Sequence, residues 1–120
     1  MKTIADILEK ARQRAREMDL PYKGALLPAE AYQFLHEVAG AHLVDVRSQA
    51  ELDWVGRIPG AIEIELRAYP SMQPNPDFLD QLSSQLDKAS PVMFICRSGA
   101  RSNHAAAIAS QSGFADCYNV

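Results

Sequence analysis

Apolar positions in the chain recur in two distinct rhythms. Ile4, Ile7, Leu8, Ala11, Ala15 and Met18 follow the three-and-four spacing of an amphipathic helix over Thr3 to Met18, with Thr3 and Asp6 placed to cap it. Its other face carries Arg12, Arg14 and Arg16, with Glu9, Glu17 and Asp19 nearby, and reads as solvated. Pro21 and Gly24 mark a linker. Pro28 then opens a second helix with a stripe of Ala31, Phe34, Leu35 and Val38, stopped by Gly40.

The rhythm then changes. Leu43 to Val46 is a short β-branched run and predicts a strand. Ser48 and Glu51 form a capping box, so a brief helix runs to Val55, with Trp54 expected to pack within it. Gly56 to Gly60 reads as a loop. Ala61 to Leu66 alternates apolar Ile62, Ile64 and Leu66 with Glu63 and Glu65, the pattern of an edge strand with one wet face. Pro70, Pro74 and Pro76 predict a surface loop. Asn75 is placed as the cap of a helix whose core face is Phe78, Leu79, Leu82 and Leu86.

Val92 to Ile95 is uninterruptedly apolar, as in a strand buried on both faces. Ser102 to Ser112 predicts an alanine-rich helix stopped by Gly113, and Cys117 to Val120 a last strand. Strands alternating with helices imply an α/β fold in three layers: a central, mostly parallel sheet of about five strands flanked by helices.

Composition narrows the function. The chain has 120 residues, 48% of them hydrophobic and 22% charged, which fits one globular domain. A net charge of −3 gives no general attraction to nucleic acid or to an acidic membrane. Charges at Asp6, Glu9 and Lys10 interrupt any signal-peptide core, and no apolar run approaches the ~20 residues of a span. Two cysteines do not make a disulfide framework, so a cytoplasmic protein with free thiols is expected. His36 and His42 lack metal-ligand companions at useful spacing, and no metal site is expected.

The chemistry concentrates in Cys96-Arg97-Ser98-Gly99-Ala100-Arg101-Ser102, between the most buried strand and a helix start. In open α/β sheets, ligands bind beyond the carboxyl ends of strands, where Cys96 falls. Gly99 lets the backbone curl so that successive N–H groups face inward, and the following helix adds its positive dipole end. Arg97 and Arg101 raise the local potential. Together these stabilise a thiolate and mark Cys96 as a nucleophile. Cys117 has no such company and reads as buried and inert. His104 reads as a surface residue.

Taken in order, Leu43-Val44-Asp45-Val46-Arg47, Glu51, Gly56-Arg57-Ile58-Pro59-Gly60-Ala61, Cys96 to Ser102, Ala105-Ala106, Gly113-Phe114 and Tyr118-Asn119-Val120 resemble a single-domain rhodanese. The resemblance covers residues 28–120 and leaves 1–27 as a leading helix and linker. It implies a sulfurtransferase in which Cys96 takes up sulfane sulfur as a persulfide held by Arg97, Ser98, Gly99, Ala100, Arg101 and Ser102. Asp45, Arg47 and Arg57 are secondary candidates: the first two as a loop-anchoring charge pair, the third on a loop brought to the sheet's carboxyl side. Arg57 stands where the family often has His. The family pattern continues past Asn-Val with a Gly-Gly turn and a closing segment, so residues 28–120 read as a domain truncated at its C-terminal end.

The expected reaction uses a small-molecule sulfur donor, anionic like thiosulfate, and a thiol or cyanide acceptor, or an acceptor protein, with no cofactor. Two rival readings stand beside it. A cysteine phosphatase or arsenate reductase of related fold needs five residues between cysteine and arginine, whereas four separate Cys96 from Arg101. A sulfur-carrying or regulatory binding module is the other.

Overall fold

A computed structural model describes residues 3–68 and 71–120. Its elements, in chain order, are α1 (Ile4–Glu17), β1 (Gly24–Ala25), α2 (Pro28–Glu37), β2 (His42–Asp45), α3 (Gln49–Val55), β3 (Ile62–Glu63), β4 (Arg67–Ala68), β5 (Gln73–Pro74), α4 (Phe78–Gln85), β6 (Val92–Ile95), α5 (Ala100–Gln111) and β7 (Cys117–Asn119). Five strands pair in the order β1-β7-β6-β2-β3, all parallel. β4 and β5 form a separate antiparallel ribbon.

The pleat of β2 and β6 separates the two faces. Leu43 pairs with Met93 and both join Ile7, Ala11, Phe34 and Tyr118 in a core under α1 and α2. Val44 pairs with Phe94, and these meet Phe78, Leu82, Ala105, Ala106 and Ala109 in a second core under α4 and α5. The three expected layers are therefore present. Because both faces of the inner strands are covered, their carboxyl ends are left as the open edge.

α1 packs into the first core with the rest of the chain. Thr3 and Asp6 cap it reciprocally, each backbone N–H bonding the other's side chain at 3.2 Å. Gly24, in the stretch read as linker, begins edge strand β1 and lies against α1. A Cβ there would stand 2.8 Å from the Ala11 Cβ. Arg14 leaves the solvated face to bond both oxygens of the buried Glu30, at 2.6 and 3.0 Å, and the Ala25 carbonyl at 2.9 Å.

Four local expectations change. Trp54 is 67% exposed, because α3 is short and buries only Leu52. Ladder pairing in the 61–66 segment is confined to Ile62–Glu63; Ile64 and Leu66 are buried nonetheless. Part of the proline-rich loop pairs: Pro74 lies in the two-residue β5, a ribbon edge where its missing N–H is tolerated. Asn75 does not cap α4 directly. Its Oδ1 accepts the Asp77 N–H at 3.0 Å, its Nδ2 donates to the Glu65 carbonyl at 2.8 Å, and Asp77 takes the cap position. The predicted Pro70 lies outside the described residues. Among those residues, no helix is long and apolar enough to cross a membrane.

Candidate active site

Cys96 follows β6 directly, and its side chain packs on the α4–α5 side of the sheet. Three residues later, Gly99 adopts φ 89° and ψ −11°, a left-handed conformation that an L side chain resists. This turn starts α5 at Ala100, two residues earlier than the helical pattern alone predicts. It also reverses the backbone, so that the amides of Gly99 and Ser102 both point at the sulfur. The Gly99 N–H reaches Cys96 Sγ at 3.1 Å and the Ser102 N–H at 3.4 Å, while Ser102 Oγ lies 3.4 Å away.

Ser102 occupies the third position of α5, whose amide is normally met by an N-cap side chain. Gly99 has no side chain to offer, and Cys96 Sγ serves as that acceptor instead. Burial alone would raise the thiol's pKa. The hydroxyl and amide of Ser102, then the amides of Gly99 and Ser98, outweigh it and bring Cys96 below its ordinary value. Cys117 is the counterexample: buried in β7, with its thiol donating to the Phe114 carbonyl, it is pushed up to about 12 by burial.

The two loop arginines part ways. Arg101 is folded back onto Glu51, Nη1 to Oε1 at 2.5 Å and Nη2 to Oε2 at 2.7 Å. Arg97 is exposed and makes no hydrogen bond or ion pair among the described residues. Ser98 and Ala100 are exposed, and Ser102 is fully buried.

Asp45 and Arg47 form a buried fork beneath the loop. Arg47 Nε bonds Asp45 Oδ1 at 3.0 Å, and Nη2 bonds Asp45 Oδ2 at 2.7 Å and the Gly56 carbonyl at 3.0 Å. The pair thus ties the end of β2 to the turn after α3. Arg57 lies outside this cluster: it bonds Asp53 at 2.6 Å and Glu63 at 3.2 Å on the exposed edge. His104 is exposed on α5.

Glu51 belongs to the site, although local pattern marks it only as a cap. Its Oε1 accepts the Ser48 N–H at 3.1 Å and the Ser48 hydroxyl at 2.9 Å while both oxygens hold Arg101. Arg101, opposed by the cost of burial, keeps its carboxyl down at about 2. A second group joins from the far side. Asn119 Nδ2 donates to the Gly99 carbonyl at 3.3 Å, and the Tyr22 hydroxyl donates to Asn103 Oδ1 at 2.5 Å. No periodic or motif signal marks Tyr22 or Asn103, because each is defined by a partner distant in the chain.

A family model, the rhodanese-like domain, matches residues 27–120. The chain belongs to the rhodanese-like family. Tyr22 therefore lies outside the matched rhodanese-like region yet bonds the first turn of α5. Among curated relatives, the uncharacterized protein RP600 homolog of Rickettsia rickettsii is 39% identical over 93 residues, 76% of this chain and 75% of its own. Thiosulfate sulfurtransferase 16, chloroplastic, of Arabidopsis thaliana is 35% identical over 79 residues, 64% of this chain and 65% of its own. Among solved structures, Rv0390 from M. tuberculosis superposes with a TM-score of 0.72 at 34% identity, covering 82% of this chain and 77% of its own. The polysulfide-sulfur transferase homodimer of Wolinella succinogenes gives 0.62 at 27% identity, covering 92% and 74%. Proteins with sulfurtransferase names are thus among those that resemble this chain, the Arabidopsis one in sequence and the Wolinella one in fold.

Proposed function

We propose that this chain is a sulfurtransferase that carries sulfane sulfur on Cys96. The observation that carries the reading is the convergence of two amides and one hydroxyl on Cys96 Sγ at 3.1 to 3.4 Å. The Cys96 thiolate attacks the outer sulfur of thiosulfate; the new S–S bond forms as the bond to the sulfonate sulfur breaks, and sulfite leaves with that electron pair. A nucleophilic acceptor then attacks the terminal persulfide sulfur and the thiolate returns. With cyanide, the product is thiocyanate. The reaction is covalent and ping-pong and needs no cofactor.

Arg97 suits the anionic donor and the departing sulfite, because its guanidinium is exposed beside the nucleophile in sequence and is not neutralised by a described carboxylate. Arg101 suits that role less well, since Glu51 holds both ends of its fork. The same pairing weighs against a phosphatase or arsenate reductase, in which the loop arginine must grip the oxyanion. The names of the Arabidopsis and Wolinella relatives point to thiosulfate and polysulfide as the donors to try first. A cytoplasmic location, and delivery to an acceptor protein, belong to the same reading.

The test is a donor panel of thiosulfate, mercaptopyruvate and polysulfide with cyanide as acceptor, read as thiocyanate, alongside mass spectrometry of the donor-treated protein. One added sulfur on the Cys96 peptide and loss of turnover in Cys96→Ser are expected. Full turnover in Cys96→Ser would end the proposal.

A further inference from the structure

The Gly99 carbonyl has three donors and two lone pairs. Asn103 N–H reaches it at 2.9 Å, Ser102 Oγ at 3.2 Å and Asn119 Nδ2 at 3.3 Å. A carbonyl oxygen accepts two good hydrogen bonds, so one donor is surplus. Ser102 is the one with an alternative. Its hydroxyl carries a single proton and has two acceptors in reach, the Gly99 oxygen and Cys96 Sγ at 3.4 Å.

The other two donors lack that choice. The Asn103 amide is committed by the first turn of α5. Asn119 sits at the end of β7, where its backbone is held on both sides: its carbonyl accepts the Leu26 N–H at 2.8 Å, and the next residue's N–H donates to Phe94 O at 3.0 Å. Asn119 Oδ1 is buried with no hydrogen bond. Turning the amide over would set that oxygen against the Gly99 carbonyl, so the donor-inward orientation is the one the site can keep. The Tyr22 hydroxyl stands nearby: its hydrogen bond goes to Asn103 Oδ1, and Asn119 is close enough to ease the rise that burial imposes on the phenol.

We infer that Asn119 is a positioning residue for the nucleophile: by filling the second lone pair of the Gly99 carbonyl, it releases the Ser102 proton to the Cys96 sulfur. The chain of action is Asn119 Nδ2 to Gly99 O, and then Ser102 Oγ from Gly99 O to Cys96 Sγ. A thiolate only accepts, so the released hydroxyl stabilises the ionised form and leaves the neutral thiol without an equal gain. Without the Asn119 amide, the carbonyl recovers an open lone pair and Ser102 turns to it.

The purpose of the device rests on the sulfurtransferase reading, but its test needs no sulfur donor. The titration of Cys96 is followed by the pH dependence of its alkylation with iodoacetamide, quantified on the Cys96 peptide. In Asn119→Ala the midpoint should rise by roughly one pH unit, the scale of one hydrogen bond to an ion. Asn119→Leu, which keeps the volume without the donor, should do the same and serves if the alanine variant does not fold. In a Ser102→Ala background, where there is no hydroxyl to release, Asn119→Ala should add no further shift. An unchanged midpoint in the folded single variants overturns the inference. So does an Asn119 shift of equal size with and without Ser102, which marks a general loosening of the loop. If the coupled shift is present but no donor loads wild-type Cys96, the functional reading fails and this inference stands.

Discussion

Arg101 and Glu51, fifty residues apart, face one another fork to fork, with N–O distances of 2.5 and 2.7 Å. The pair joins the first turn of α5 to the first turn of α3 and so ties the segment after Cys96 to the segment after β2. Its carboxylate does two jobs at once, since Glu51 also completes the Ser48 capping box.

This pair gives stability a defined pH dependence. Glu51 lies at about 2 in the folded chain against an ordinary 4.5. A depressed carboxyl contributes stability that is full above its ordinary value and lost as pH falls through 4.5 towards 2. The contribution is on the order of 3 kcal/mol, with little solvent screening because the side chain is only 13% exposed. Urea unfolding of wild type and Glu51→Gln across that window should show a steeper loss in wild type and a flatter, lower curve in the variant. Parallel curves would show that the pair contributes nothing.

The two thiols should differ sharply in reactivity. Cys96 is below its ordinary pKa and half-buried, whereas Cys117 is raised to about 12 and buried. In the native protein near neutral pH, iodoacetamide should modify the Cys96 peptide and spare the Cys117 peptide until denaturant is added. Ser102→Ala should slow the Cys96 reaction below its midpoint. Equal labelling of both peptides under native conditions would contradict the description of the cradle.

Gly99 should resist replacement for a backbone reason. Its φ is 89°, and the nearest atom to an added Cβ, Asn119 Nδ2, is 4.0 Å away, in ordinary contact. Gly99→Ala should therefore cost roughly 1–2 kcal/mol from the left-handed conformation rather than from a clash. If the turn relaxes, the Gly99 and Ser102 amides leave the sulfur, and thiocyanate formation should fall more than stability does. Chemical denaturation and the thiosulfate–cyanide assay measure the two separately.

Gly24 tests how closely α1 belongs to the core. A Cβ there would stand 2.8 Å from Ala11 Cβ and 3.0 Å from its backbone carbon, so the helix must move. Gly24→Ala should destabilise by about 1–3 kcal/mol, the usual cost of overpacking. Ala11→Gly in the same chain should recover part of the loss by removing the nearer contact, net of glycine's helix penalty of about 1 kcal/mol. A fully stable Gly24→Ala protein would mean that α1 sits more loosely on β1 than its burial implies.

Much of the fold was readable because its causes are local. The capping boxes at Thr3 and Ser48, the apolar stripe of α1 and the continuous run of β6 each place a pattern within a few neighbouring residues, and all appear as expected except at Met18, which caps the end of α1 and is exposed. Some misreadings fall where a distant partner decides, and that of Trp54 where a short helix has only one buried position. Gly24–Ala25 is a strand only because β7 runs beside it, and two residues carry no periodicity. Trp54 looked like a packing residue, but α3 turns that position outward. Asn75 looked like a helix cap, but the Glu65 carbonyl draws its amide away and α4 starts at Phe78.

The turn after Cys96 was legible for the same local reason. A cysteine closing an apolar run, followed by Gly99 and a helix, defines its own backbone turn within seven residues. The surroundings of that loop were not, because hydrogen bonds bridging 20 residues, as from Asn119 to Gly99, or 50, as from Arg101 to Glu51, leave no trace in spacing or composition. Only the packing of parallel strands, which gathers their carboxyl ends at one edge of the sheet, brings Tyr22, Glu51 and Asn119 onto the segment Gly99 to Asn103, to which none of them is near in the chain.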